Sequence, residues 1–255
     1  MIRENNQFCI YPPRLTPEER RQIRADFECG IRAQRTTAET RPREDERLDN
    51  SALSVVVEAC RKPKSTLTEV YQAVDLHPTK GKKTLDMLIA GGLVRLLPLA
   101  RMGKGAKPCF IEVLPAADKY LERAGVSRPE PRIKGSWRHN LYGLFCVDWA
   151  VREGYEGVEF EKTFGSKTYD VSFHDSASKV YGAEICLSGT AERTAEQVYR
   201  ATLNSGIHVI AVFESKLLLD RTKKDLAELY PETRKSKSLE FRLLGEFVTA
   251  VLEGR

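Results

Sequence analysis

Apolar side chains recur at helical spacing through the middle of the chain and at alternating spacing further on, so the pattern predicts a helical region followed by a mixed α/β one. From Ser51, Leu53, Val56, Val57 and Cys60 fall at i, i+3, i+4 and i+7, and a Lys-Pro-Lys break ends that helix. Thr66 followed by Glu69 has the form of a capping box, and Leu67, Val70, Tyr71 and Val74 then form the apolar stripe of a second helix. After the turn DLHPTK, a third helix starting near Lys82 buries Leu85, Leu88 and Ile89 and stops at Gly91-Gly92. Two short strands, 93–97 and 109–113, flank the loop ARMGKGAKP, and a closing helix covers roughly 115–124.

Beyond a Pro- and Gly-rich stretch at 126–136, Trp137, Leu141, Leu144 and Phe145 mark a helix that runs to about Arg152. Three strand-like segments follow at 158–162, 168–174 and 180–188. In the second, Tyr169, Val171 and Phe173 alternate with Asp170, Ser172 and His174, which predicts one apolar and one polar face. In the third, Ile185 and Leu187 alternate with Glu184, Cys186 and Ser188. A helix over 190–204 leads to 207–213, an apolar run typical of a strand buried on both faces. Strand, helix, strand at this spacing implies a parallel crossover. A helix near 217–229, a strand at 239–243 and a terminal helix complete the pattern. The N-terminal segment differs: Thr16-Pro17-Glu18-Glu19 opens a helix that is almost all charge, and the mixed-charge run to Asn50 reads as a linker. The organisation expected is an arm over 1–47, a first domain over 48–125, a linker at 126–136 and a second domain over 137–255.

Charge adds one thing to this picture. Of the 41 basic and 36 acidic residues, segment 1–47 holds 10 and 9, segment 48–128 holds 13 and 8, and segment 129–255 holds 18 and 19. The net charge of +5 therefore arises in the middle segment, where an anionic partner should bind. Between Thr79 and Lys107 the one acid is Asp86. No stretch approaches the roughly 20 apolar residues that span a bilayer, and the first residues lack the apolar core of a secretory signal, so a cytoplasmic protein with no membrane contact is expected. The six cysteines form no CxxC pair and have no histidine at finger spacing, so they read as reduced thiols.

Three short helices and a two-stranded hairpin over 50–125 resemble a winged helix-turn-helix. The resemblance implies that the third helix enters the major groove of double-stranded DNA and that the wing lies along phosphate or the minor groove. Lys80, Lys82 and Lys83 stand at the start of that helix, and Arg101, Lys104 and Lys107 decorate the wing.

The order helix, three strands, helix, strand over 137–215 resembles the core of the PD-(D/E)XK nuclease superfamily, a three-layer, mixed-sheet, restriction-endonuclease-like fold. Combined with the winged helix, it places the chain in the α+β or α/β class. In that superfamily an Asp and a Glu bind one or two divalent ions, and here Asp170 and Glu184 match them, implying Mg2+ or Mn2+ as cofactor. Glu161 would be a third carboxylate, and His139, at the start of the first helix of this domain, would contact phosphate. The sequence departs from the motif twice: Tyr169 replaces the Pro before the Asp, and Cys186 replaces the Lys two residues after the Glu. A thiol at neutral pH neither orients water nor offsets phosphate charge as that Lys does. Strict alternation turns Lys167 to the opposite face from Asp170 unless a bulge intervenes. Gln197, flanking the apolar stripe of the 190–204 helix, is the better-placed substitute. The carboxylates also have a plain structural reading, as the solvated face of a sheet.

The resemblances leave three functions open. One is a metal-dependent DNA endonuclease of a mobile-element, replication or defence system. Another is a non-catalytic transcriptional regulator or a replication or conjugation accessory protein with a degenerate nuclease fold. The third is a protein that loads a partner ATPase or relaxase onto DNA, with a homodimer as the other assembly to consider.

Overall fold

The computed structural model describes residues 49–99, 107–129, 134–187, 190–203 and 206–254. The expected arm at 1–47 and the wing residues Arg101 and Lys104 lie outside these, as does part of the 126–136 stretch. Leu48–Arg255 form one compact α+β unit. Among the described residues, no helix is long and apolar enough to cross a membrane.

Helix α1 (Asn50–Arg61) begins at Asp49, whose carboxylate accepts the Ala52 N–H at 2.7 Å. Its buried stripe is Ala52, Val55, Val56, Ala59 and Cys60, while Leu53 and Val57 are only half-buried. The inward face is thus rotated from the expected one towards the small alanines, which let the neighbouring helices approach closely. Helix α2 (Leu67–Ala73) carries the expected Thr66/Glu69 capping box. Helix α3 (Pro78–Ala90) starts four residues before the expected Lys82, because Pro78 occupies the first helical position and His77 caps it. Its inward residues are Gly81, Thr84, Leu85 and Leu88, and Ile89, expected inside, is 41% exposed. Gly81 lies against the ring of Tyr71 on α2, where a Cβ would come within 2.8 Å of ring carbons.

Strands β1 (Val94–Pro98) and β2 (Cys109–Val113) pair antiparallel, from Val94↔Val113 to Pro98↔Cys109. A short 3-10 turn and helix α4 (Asp118–Arg123) follow. Arg128 then clasps this end of the helical region, donating to the Val113 and Leu114 carbonyls and to Asp118.

Helix α5 (Trp137–Arg152) is capped by Ser136. It leads into a five-stranded sheet of β3 (Glu156–Phe164), β4 (Lys167–His174), β5 (Val180–Cys186), β6 (Ile207–Phe213) and β7 (Leu239–Leu243), in that spatial order. The first three strands form an antiparallel meander, and β5, β6 and β7 run parallel. Helices α6 (Ala191–Thr202) and α7 (Lys216–Leu229) make the crossovers, and α8 (Leu244–Glu253) ends the unit. Side chains of α5 and α8 pack with Val171, Phe173, Ile185, Ile210 and Val212 on one face of the sheet. Those of α6 and α7 pack with Cys186, Ala211 and Phe213 on the other. Strand β6 is therefore covered on both sides, as its apolar run requires.

The helical region and the sheet region share buried side chains. Leu99 and Phe110 belong to the same apolar cluster as Leu141, Phe145 and Phe247. Phe110 meets Phe145 edge-on, with ring centroids 5.5 Å apart at 76°. Lys64, between α1 and α2, pairs with Asp148 on α5.

Candidate functional site

The alternation of β4 breaks at Asp170, and the site is built on that break. Val171 and Phe173 face α5 and α8, but Tyr169, two residues earlier, lies on the other side of the sheet with Ala201 and Val209, its hydroxyl donating to the Ala201 carbonyl at 2.7 Å. The β4–β5 ladder runs from His174↔Val180 to Val171↔Ala183. Just beyond it, the Asp170 side chain takes over the pairing: Oδ2 accepts the Ile185 N–H at 2.8 Å. Gly182 on β5 makes this arrangement fit, since a Cβ there would overlap the Tyr169 ring.

This break corrects the expected position of Lys167. It lies on the Tyr169 side, with Nζ 5.9 Å from the Tyr169 ring centroid and 2.9 Å from Glu184 Oε2. Gln197 on α6 reaches the same oxygen, donating from Nε2 at 3.0 Å. Glu184 is 1% exposed, and its other oxygen, Oε1, is buried with no hydrogen-bond partner among the described residues. Burial, and then the negative charge of Asp170, push the Glu184 carboxyl up to about 7 against the opposing effects of Lys167 and Gln197.

His139, expected to contact phosphate, lies against Asp170. Its Nε2 lies 3.1 Å from Asp170 Oδ2 and its Nδ1 3.1 Å from the Lys134 carbonyl. Both partners are acceptors, so the imidazolium form satisfies both and the neutral ring only one. The hydrogen bond to Asp170 accordingly raises the pKa of His139, with burial acting the other way. Each carboxylate thus has its own nitrogen partner: His139 for Asp170 and Lys167 for Glu184.

Glu161 is placed differently. The β3–β4 register sets it across from Asp170, between the pairs Phe160↔Val171 and Lys162↔Tyr169. Its backbone is left-handed, at φ 47°, and its carboxylate accepts the Lys134 N–H and faces the Lys134 ammonium. Among the described residues, no three His, Cys, Asp or Glu side chains gather closely enough to hold a metal ion. Any ion at this site would rest on Asp170 and Glu184. Cys186 is buried, its thiol pushed up by burial and by the charge of Glu184, so it stays protonated.

The sequence reading did not include Arg138 or Glu214. Arg138, next to His139, pairs with Glu214, which follows β6. The Tyr142 hydroxyl donates to the same Glu214 oxygen at 3.2 Å and accepts from Arg138 Nε at 3.1 Å. The first turn of α5 thus holds two acids on either side of β5.

In the helical region, Lys80, Lys82 and Lys83 are all exposed on α3. Lys107 is exposed at the base of the hairpin and lines a cavity of about 380 Å3 with Pro98, Glu214, Ser215, Lys216, Leu243 and Gly245. The chain matches no protein-family model, and a search of curated proteins finds no match.

Proposed function

We propose that this protein is a metal-dependent DNA endonuclease, with the helical region acting as a winged helix-turn-helix on duplex DNA and the sheet region as a PD-(D/E)XK-like nuclease. The observation that carries this reading is Lys167. The lysine missing after Glu184 is supplied from the start of the neighbouring strand, with its ammonium 2.9 Å from the Glu184 carboxylate. An ammonium there can orient a water nucleophile and offset charge on a phosphate, as the motif requires. The buried, unpartnered Oε1 of Glu184 fits a Mg2+ or Mn2+ ligand, since hard cations take carboxylate oxygen. Such an ion would activate water and polarise a phosphoryl oxygen. Asp170 is fixed for the same purpose by the Ile185 N–H and His139, and Gln197 fixes Glu184. For the helical region, the support is the exposed lysines at the start of α3 and Lys107 at the base of the hairpin.

A supercoiled plasmid incubated with protein in magnesium, manganese or EDTA tests the reading. Wild type should nick or linearise it only with metal. Glu184→Ala should be inactive, and Lys167→Met should lose roughly 10²–10³-fold in rate, the scale of removing one charge-stabilising donor. Cleavage that persists in EDTA or in Glu184→Ala would overturn the assignment. One observation favours a non-catalytic DNA-binding accessory protein or regulator instead: His139 and Lys167 already occupy an oxygen of each carboxylate. That reading predicts DNA binding with no cleavage in any metal.

A further inference from the structure

Helix α3 presents a regular outer line. With Gly81, Thr84, Leu85 and Leu88 inward and 100° between successive residues, Thr79, Lys83, Asp86 and Ala90 point directly outward. Lys80 and Met87 flank that line on one side, Lys82 and Ile89 on the other, and all eight are exposed. Asp86 is the only acid on this surface. Among the described residues it makes no ion pair, although Lys82 and Lys83 lie one turn before it. A lysine placed N-terminal to an acid is the weaker orientation for a helical pair. Nor does Asp86 accept from Tyr71, whose hydroxyl is buried without a hydrogen-bond partner. Its charge reaches Tyr71 only at a distance, adding to burial in raising that hydroxyl.

On a surface that meets only phosphate, an unpaired carboxylate lowers affinity, because like charges repel. It is useful where it meets a donor. The major-groove donors of a duplex are the exocyclic amines of cytosine (N4) and adenine (N6). Resting on the DNA-binding reading above, we propose that Asp86 is a specificity-determining residue: its carboxylate accepts a hydrogen bond from a cytosine or adenine amine, and the surrounding lysines hold the backbone. Met87 and Ala90 beside it offer apolar contact to a neighbouring thymine methyl. The acid also works by exclusion, since a base edge that presents only acceptors, guanine or thymine, is repelled at that position.

The test is selection from a randomised duplex library by the full-length protein in EDTA, which prevents cleavage, followed by sequencing. Wild type should enrich cytosine or adenine at one position, the identity of the enriched base separating the two amines. Asp86→Ala, on an exposed helical site, should fold normally and lose discrimination at that position alone by roughly 5–150-fold, the range for one good base contact. It should bind unselected duplex at least as tightly as wild type. Asp86→Asn, carrying both an acceptor and a donor, should shift the preference towards adenine. An unchanged preference in Asp86→Ala, or a wild type that binds duplex with no base preference, overturns the role of Asp86 and leaves the DNA-binding reading intact. A wild type that retains no duplex at all overturns both.

Discussion

Replacing Glu184 with glutamine tests the electrostatics of the site before any chemistry is assayed. The wild-type carboxyl is 1% exposed and raised from 4.5 to about 7, first by burial and then by the charge of Asp170. A carboxyl held up in this way binds its proton more tightly in the folded than in the unfolded chain. The stability it carries is complete below pH 4.5 and is lost as pH rises through about 7. At roughly 1.4 kcal/mol per pH unit, the gap is worth about 3 kcal/mol. For a unit of this size that corresponds to roughly 6–12 °C in melting temperature. Glutamine keeps the volume and an accepting oxygen but carries no charge, so it escapes the loss. It also deprives Lys167 of its ionic partner, which returns part of the gain.

Melts in EDTA should therefore show Glu184→Gln gaining on wild type by about 1–3 kcal/mol between pH 5 and pH 8. His139, whose pKa is also raised, contributes stability that is present below its ordinary value of 6.5 and is lost as pH rises through its folded value. It titrates in both proteins, and because the charge of Glu184 is the least of the causes that raise it, the difference between them comes mainly from Glu184. Magnesium should then stabilise wild type at pH 8 and leave Glu184→Gln unmoved, because the ion binds the ionised carboxylate. Parallel pH curves for the two proteins would refute the reasoning, since they would mean that Glu184 titrates as an ordinary surface acid.

Two further outcomes concern the helical region. Gly81→Ala places a Cβ within 2.8 Å of the Tyr71 ring, so urea denaturation should show a loss of about 1–2 kcal/mol even after the gain in helix propensity; an unchanged midpoint would mean that the ring swings aside. Lys82→Ala combined with Lys83→Ala should flatten the dependence of log affinity on log salt by roughly 2, and an unchanged slope would remove α3 from the DNA interface.

Much of the helical region was legible because its signals are local. The Thr66/Glu69 capping box and the β1–β2 hairpin depend on residues a few to about twenty positions apart, and both appear in the fold as expected. The start of α3 falls within the segment expected to be a turn, although its cause is equally local: His77-Pro78 is a cap followed by a first-turn proline. The share of Phe110 in the sheet-side core was not legible. Its partner Phe145 lies 35 positions on, beyond the Pro- and Gly-rich stretch at 126–136, and no periodicity links the two.

The candidate site shows why strand parity has limits as a guide to function. Alternation holds only while a strand is paired regularly on both sides, and the first half of β4 has a ladder with β3 but not with β5. Where the second ladder stops, a side chain that can accept an N–H can take the place of a backbone carbonyl, and Asp170 does so towards Ile185. The residues before it then turn over, carrying Tyr169 and Lys167 to the side where Glu184 lies. A sequence signal for this existed in Gly182. Glycine within a strand costs stability and is kept where another group approaches closely, and here that group is the Tyr169 ring. An Asp on one strand and a Gly near the facing position on the next together mark where a side chain can cross, and the same pair explains how Lys167 reaches Glu184 when the position two residues beyond that Glu holds a buried thiol.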